Sequence, residues 1–146
     1  MEERFETFTV LINRISRNIR KIKNQEMAEY QLRSAHVSCL YYLYSEEGLT
    51  ATDLCERCEE DKATISRALE HLEAEGYLNK PTKRYKSPLV LTEKGRMVGK
   101  KIAHKIGAVL DEISTGLTEA ERIAFYRSLS VISESLEAVA KKGELI

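Results

Sequence analysis

Residues 62–71 gather side chains that can bond to base edges and phosphates. Arg67 can donate two parallel hydrogen bonds to a guanine edge, and Ser66 or Thr64 can bond a phosphate or a base. Lys62 and His71 add donors at either end of the same segment. Ala63, Ser66, Arg67 and Glu70 recur at helical spacing, so they share a face that is small and polar enough to approach a groove closely. An ordinary solvated helix face, with Arg67 paired to Glu70 or His71, is the competing reading of the same residues. From Asn79 to Ser87 the chain then carries Lys80, Lys83, Arg84 and Lys86 and no acid. Three of these cations, Lys83, Arg84 and Lys86, are candidates for phosphate contacts, and Thr52, on the preceding helix pattern, joins the set.

The elements that must position these residues are legible around them. Ile65, Ala68, Leu69 and Leu72 repeat with a helical period and predict a core-facing stripe over residues 61–75. Asp61 is a good N-cap, and Gly76 stands where a left-handed residue closes a helix. Upstream, Thr50 caps a shorter helix with Leu54, Cys55 and Cys58 inside, and Glu59 and Glu60 make the turn. Downstream, residues 77–92 predict a small hairpin. Leu89 and Leu91 alternate with Val90, while Pro81 and Pro88 suit an edge ribbon. Two helices followed by a basic ribbon is the order of a winged helix-turn-helix, which reads duplex DNA with the second helix and holds phosphates with the ribbon.

Charge supports this distribution more than its total. The 146 residues sum to zero formal charge, which alone argues against indiscriminate nucleic-acid affinity. Residues 76–105, however, hold nine cations and one anion, a patch that attracts phosphate whatever the total. Residues 43–75 hold ten anions and three cations, which keeps open a different class of function: a winged-helix protein-interaction module without DNA binding.

The flanks are long apolar helix patterns. Phe5, Phe8, Ile12, Ile15, Ile19 and Ile22 alternate by three and four, as an a/d seam does. A helix from near Ser34 carries Val37, Leu40, Tyr41 and Tyr44 inward. Thr92 caps a helix with Ile102, Ile106, Val109, Ile113 and Leu117 in period. Thr118 and Glu121 form a capping box for a last helix through Ile123, Tyr126, Leu129, Ile132, Leu136 and Val139. The expected fold is mainly α with a small β-hairpin wing: a winged helix-turn-helix flanked by N- and C-terminal dimerisation helices. Residues 1–146 read as a single domain, with a lobe at 34–99 and dimerisation helices at 1–30 and 100–146. The two apolar ends have little surface to cover within one small chain, so an isologous homodimer is expected. With 42% hydrophobic and 32% charged residues, no span long enough for a bilayer and no signal-peptide core, the chain reads as soluble and cytoplasmic, with no membrane partner.

Other reactive residues read as packing. Cys55 and Cys58 are formally a C-x-x-C, but both fall late in a short helix on its apolar side, and Cys39 lies mid-helix among tyrosines. His36, His71 and His104 stand singly, without metal-ligand spacing, and no metal or cofactor is expected. Tyr30, Tyr41, Tyr42 and Tyr44 cluster near the second helix. Core packing is the first reading of that cluster, and a crevice for a small phenolic ligand is the second. No phosphate loop, dinucleotide glycine fingerprint, nucleophile elbow or zinc-protease motif is present, so an enzyme is not expected.

Taken in order, the segments Leu49-Thr50-Ala51-Thr52-Asp53-Leu54, Lys62-Ala63-Thr64-Ile65-Ser66-Arg67-Ala68-Leu69, Leu72-Glu73-Ala74-Glu75-Gly76-Tyr77-Leu78 and Leu91-Thr92-Glu93-Lys94-Gly95 resemble the MarR family of winged-helix transcription factors over nearly the whole chain. The resemblance implies a dimer with two DNA-binding lobes on a pseudo-palindromic operator. It implies a recognition helix in the major groove and a wing at the minor groove. A repressor modulated by a small aromatic effector is the simplest form, with Tyr30, His36 and Tyr41 as candidate ligand residues. The family's wing often carries an Asp-Arg pair. Arg84 matches the arginine, while Lys83 stands in the aspartate's place. Metal- and thiol-responsive relatives offer an alternative within the family. Zinc sensors draw ligands from the regions of His36 and His104, whereas peroxide sensors use a first-helix cysteine that this chain lacks.

Overall fold

Helix boundaries in this chain are set by small polar residues. In the computed structural model, which describes residues 2–79 and 87–143, α1 runs Glu2–Glu26 and is followed by a 3-10 turn at Ala28–Tyr30. Then come α2 (Ser34–Ser45), α3 (Ala51–Cys58), α4 (Lys62–Ala74), α5 (Glu93–Ile113) and α6 (Glu119–Lys142). Thr50 and Asp53 cap α3 reciprocally: the Asp53 N–H donates to the Thr50 hydroxyl at 3.2 Å, and the Thr50 N–H donates to the Asp53 carboxylate at 2.9 Å. The same box recurs at Thr118 and Glu121 ahead of α6. Asp61 caps α4 by accepting the Thr64 N–H at 2.7 Å.

The exit from α4 is a two-bond reversal. Gly76 adopts φ +80°, its N–H donates to the Glu73 carbonyl at 3.1 Å, and the Tyr77 N–H donates to the Leu72 carbonyl at 2.9 Å. That pattern satisfies two carbonyls that the helix end would strand. Thr92 then joins this exit to α5. Its hydroxyl accepts the Gly95 N–H at 3.0 Å and donates to the Gly76 carbonyl at 2.6 Å.

Two compact units divide the chain, Met1–His104 and Lys105–Ile146. The core lies in the first. Val37, Cys39, Leu40 and Leu43 of α2 are buried with Leu54 of α3, Ile65, Ala68 and Leu72 of α4, and Val98 and Ile102 of α5. Met27, Leu32, Leu49, Tyr77, Leu78 and Leu91 close it from the connections. Each fully buried aliphatic side chain here contributes roughly 1.5–3 kcal/mol of transfer free energy. The expected α2 stripe shifts slightly: Leu43 takes a buried place, and Tyr41 and Tyr44 are only half-buried. In α4, Leu69 is likewise half-buried rather than central.

The apolar seams anticipated at the two ends are open to solvent in the single chain. Ile12, Ile15, Ile19 and Ile22 of α1 are exposed, as are Ile123, Tyr126, Ile132, Leu136 and Val139 of α6. The Phe5 side chain lies outside the described residues. Among the described residues, no helix is long and apolar enough to cross a membrane.

Candidate nucleic-acid interface

The α3–α4 pair sets the geometry of the candidate face. Leu54 of α3 and Ile65, Ala68 and Leu72 of α4 are buried, so the opposite side of α4 must point away from the core. Lys62, Ala63, Ser66 and Arg67 are exposed along it, and Thr64 is half-buried at its start. Thr52 is exposed near the start of α3. The Arg67 guanidinium leans back toward the Thr64 hydroxyl at 3.4 Å. This contact is long and exposed, so a better acceptor could displace it.

Helix starts carry the local electrostatics. The Asp61 carboxyl is held below the usual carboxylate range, first by the Thr64 backbone N–H and then by its hydroxyl. Asp53 is lowered in the same way by the Thr50 N–H and hydroxyl. Both acids are engaged as helix caps, and the lowered pKa keeps each of them ionised.

His71 behaves differently from the rest of its set. It is half-buried, and its ring lies on that of His36 of α2, with centroids 4.4 Å apart and planes 31° apart. Its Nε2 is buried without a hydrogen-bond partner. His36 in turn accepts the Arg33 backbone N–H on Nδ1 at 2.9 Å. Burial, then the neighbouring His71 and Arg33, pushes the His36 pKa below the ordinary histidine value. The histidine placed at the edge of the reading face therefore also seats α4 on α2. Sequence spacing could not reveal this, because the two histidines are 35 positions apart.

The base of the ribbon is in place. Leu78 and Leu91 form an antiparallel bridge, the Asn79 N–H donates to the Val90 carbonyl at 2.9 Å, and the Thr92 N–H donates to the Tyr77 carbonyl at 3.1 Å. The Leu89 N–H donates to the Leu49 carbonyl at 2.8 Å, which ties the ribbon to the connection ahead of α3. Among the described residues the pairing is a single bridge, not a full strand pair. Lys80, Pro81, Lys83, Arg84 and Lys86 lie outside the described residues. Gly95 lets α5 start against this base, since a Cβ there would collide with the Tyr77 carbonyl oxygen.

The candidate ligand residues find separate neighbours. Tyr30 accepts a hydrogen bond from Lys101 Nζ at 3.1 Å, Tyr41 meets Tyr42 edge-on at 5.2 Å, and His36 stacks on His71. Among the described residues, no group of three or more His, Cys, Asp or Glu is placed to hold a metal ion. His104 is exposed.

Known proteins share this arrangement. The profile of the MarR family matches residues 30–84. The HTH-type transcriptional regulator TtmR of Methylorubrum extorquens is 32% identical over 126 residues, covering 82% of this chain. A MarR family transcriptional regulator from Silicibacter pomeroyi has 29% identity and a TM-score of 0.73, with 84% of each chain covered. The chain belongs to the MarR family. Members of this family are transcriptional regulators rather than enzymes. This MarR chain spans 62% of the length of TtmR. Its fold is also similar to that of Staphylococcus aureus MepR solved in a DNA complex, with a TM-score of 0.78, 20% identity, and 88% of this chain and 97% of that one covered.

Proposed function

We propose that this MarR chain is a homodimeric, sequence-specific double-stranded DNA-binding regulator acting in the cytoplasm, most simply as a repressor. The observation that carries the reading is the outward face of α4. Lys62, Ala63, Ser66 and Arg67 are exposed together on a helix whose other side is fixed in the core. Such a face fits the major groove, with Arg67 reaching base edges. Residues 77–79 and 87–92 bring both legs of a wing to the same lobe, so Lys83, Arg84 and Lys86 are assigned to phosphates or the minor groove. That a similar fold has been solved on DNA supports this assignment. Residues 34–99 form the DNA-binding lobe in this reading. Residues 1–30 and 100–146 supply the dimer contacts, with the exposed apolar side chains of α1 and α6 as their substance. A small aromatic effector near Tyr30, His36 and Tyr41 would shift the population of DNA-competent dimers.

Fluorescence anisotropy tests the reading directly. The protein is titrated against its own upstream intergenic duplex and a scrambled duplex, at several salt concentrations. Binding that prefers the native duplex and weakens steeply with salt is expected. Equal, salt-insensitive binding to both would favour a protein-interaction module, the reading that the acidic stretch at residues 43–75 suggests.

A further inference from the structure

α1 is joined to its own lobe near its C-terminal end. Residues 10–22 are exposed along their length, whereas Lys23 and Asn24 are half-buried and Met27 is buried just past the helix end. Within its compact unit, the described part of α1 touches α2 and the 3-10 turn but neither α3 nor α4. Two side chains make the joint. The Asn24 Oδ1 accepts the Ser34 backbone N–H at 2.7 Å, and the Lys23 Nζ donates to the Ser38 hydroxyl at 3.0 Å. Ser34 is the first residue of α2, and its N–H is one of the donors that a helix start leaves without an intrahelical acceptor. α1 therefore supplies part of the cap of α2 from ten positions away in sequence.

The joint stands between the exposed seam and the reading face. On one side, Ile22 of the seam directly precedes Lys23. On the other, α2 packs on both α3 and α4 and carries His36, whose ring lies on that of His71 of α4. α1 is a lever about this joint. From Asn24 back to Ile12 is ~18 Å of helix at ~1.5 Å per residue, so a tilt of ~10° moves the seam by roughly 3 Å. That is close to one base-pair step of a duplex strand, ~3.4 Å.

We propose that Asn24 and Lys23 are positioning residues that set the spacing between the two DNA-reading lobes of the dimer. The inference rests on the dimeric DNA-binding reading above and adds which side chains hold a lobe against the seam. Half-sites of a dimeric helix-turn-helix protein lie about 34 Å apart, one turn of duplex. Two lobes that bind together gain from each other through effective concentration, and that gain vanishes when their separation does not match the half-sites. A lobe that swings about the end of α1 keeps its own contacts to bases and loses the mutual gain. Acting through Ser34 and Ser38 of α2, Asn24 and Lys23 govern spacing rather than base identity.

Three duplexes test the proposal by fluorescence anisotropy with the full chain. They are the shortest segment of upstream intergenic DNA that the parent protects from nuclease, the same segment with one base pair inserted at its centre, and one half of it. The parent is expected to prefer the first. Asn24→Ala is expected to bind the first about tenfold more weakly, to bind the half within about twofold of the parent, and to lose most of the insertion penalty. Asn24→Asp, which keeps an acceptor for the Ser34 N–H, restores the parental pattern. Lys23→Met, which keeps the stem and removes the donor to Ser38, repeats the loss in milder form. Should Asn24→Ala fail to fold, the same ratios in Lys23→Met decide. Equal losses on the whole and half duplexes, or a parental insertion penalty in both variants, would overturn the proposal. So would a fall of Asn24→Ala to single-chain mass in light scattering, since the residue would then act on association. A parent that protects no duplex brings down the DNA-binding reading and this inference together, whereas equal losses leave that reading standing.

Discussion

At the residue scale, Arg67 is the clearest wager. It is exposed, held by a 3.4 Å contact to the Thr64 hydroxyl, and able to make two parallel bonds to a guanine edge. Arg67→Ala is expected to cost about 1–3 kcal/mol at a matched base and to relax discrimination there. Anisotropy against single-base operator variants reads both effects, and unchanged discrimination removes Arg67 from the reading set. His36 yields a prediction of another kind. Its protonated form is disfavoured in the fold, so the unfolded chain binds a proton at higher pH than the folded chain does. Stability from this source is whole above the ordinary histidine value of 6.5 and is lost as pH falls toward the lower folded value. Melting temperature should therefore drop between about pH 7 and pH 5, and His36→Gln, which keeps an acceptor for the Arg33 N–H, should flatten the drop. An equal slope in the variant would place the titration elsewhere. Sequence showed Arg67 and its exposed neighbours because one helix's periodicity sorts them. It missed the His36–His71 stack because that contact joins two elements, and periodicity within either element carries no information about the other.

At the element scale, the caps were the most legible feature. Thr50, Asp61, Thr92 and Thr118 each work as expected, since an N-cap depends on neighbours three residues away. What sequence did not show is that Thr92 serves two elements at once. Thr92→Ala removes the Gly95 cap and the bond to the Gly76 carbonyl, and is expected to cost about 0.5–2 kcal/mol, whereas Thr92→Ser should retain most of the stability. Denaturant unfolding of the pair distinguishes a lost hydroxyl from lost packing. Gly95 is the second hinge of this junction. Gly95→Ala puts a methyl group against the Tyr77 carbonyl oxygen, a backbone atom that cannot turn aside. A loss of about 1–3 kcal/mol is expected from such overpacking, checked by the same unfolding curves. Stability equal to that of the parent would show that the α5 start can shift at no cost. The core stripe of α2 was read less well. The spacing predicts Tyr41 and Tyr44 inside, yet Leu43 takes the buried place and the tyrosines stay at the margin, where their hydroxyls can keep water.

At the scale of the whole molecule, the exposed apolar side chains of α1 and α6 decide the expectation. Burying Ile12, Ile15, Ile19 and Ile22 against a second copy would recover roughly 25 cal/mol for each Å² removed from water. Light scattering at micromolar concentration is expected to return the mass of two chains, and a single-chain mass would remove the dimer reading. If the dimer is the folded form, the melting temperature must also rise with protein concentration, because association stabilises by mass action. The same stripes carry a consequence for supply. If a second copy covers these stripes, a chain that leaves the ribosome alone would hold oily surface at both ends until it met that copy, and such surface is what chaperones and proteases recognise. In that dimer reading the lifetime of a chain would depend on how many siblings are nearby, and a cell that made too little of the protein would lose it by turnover faster than in proportion.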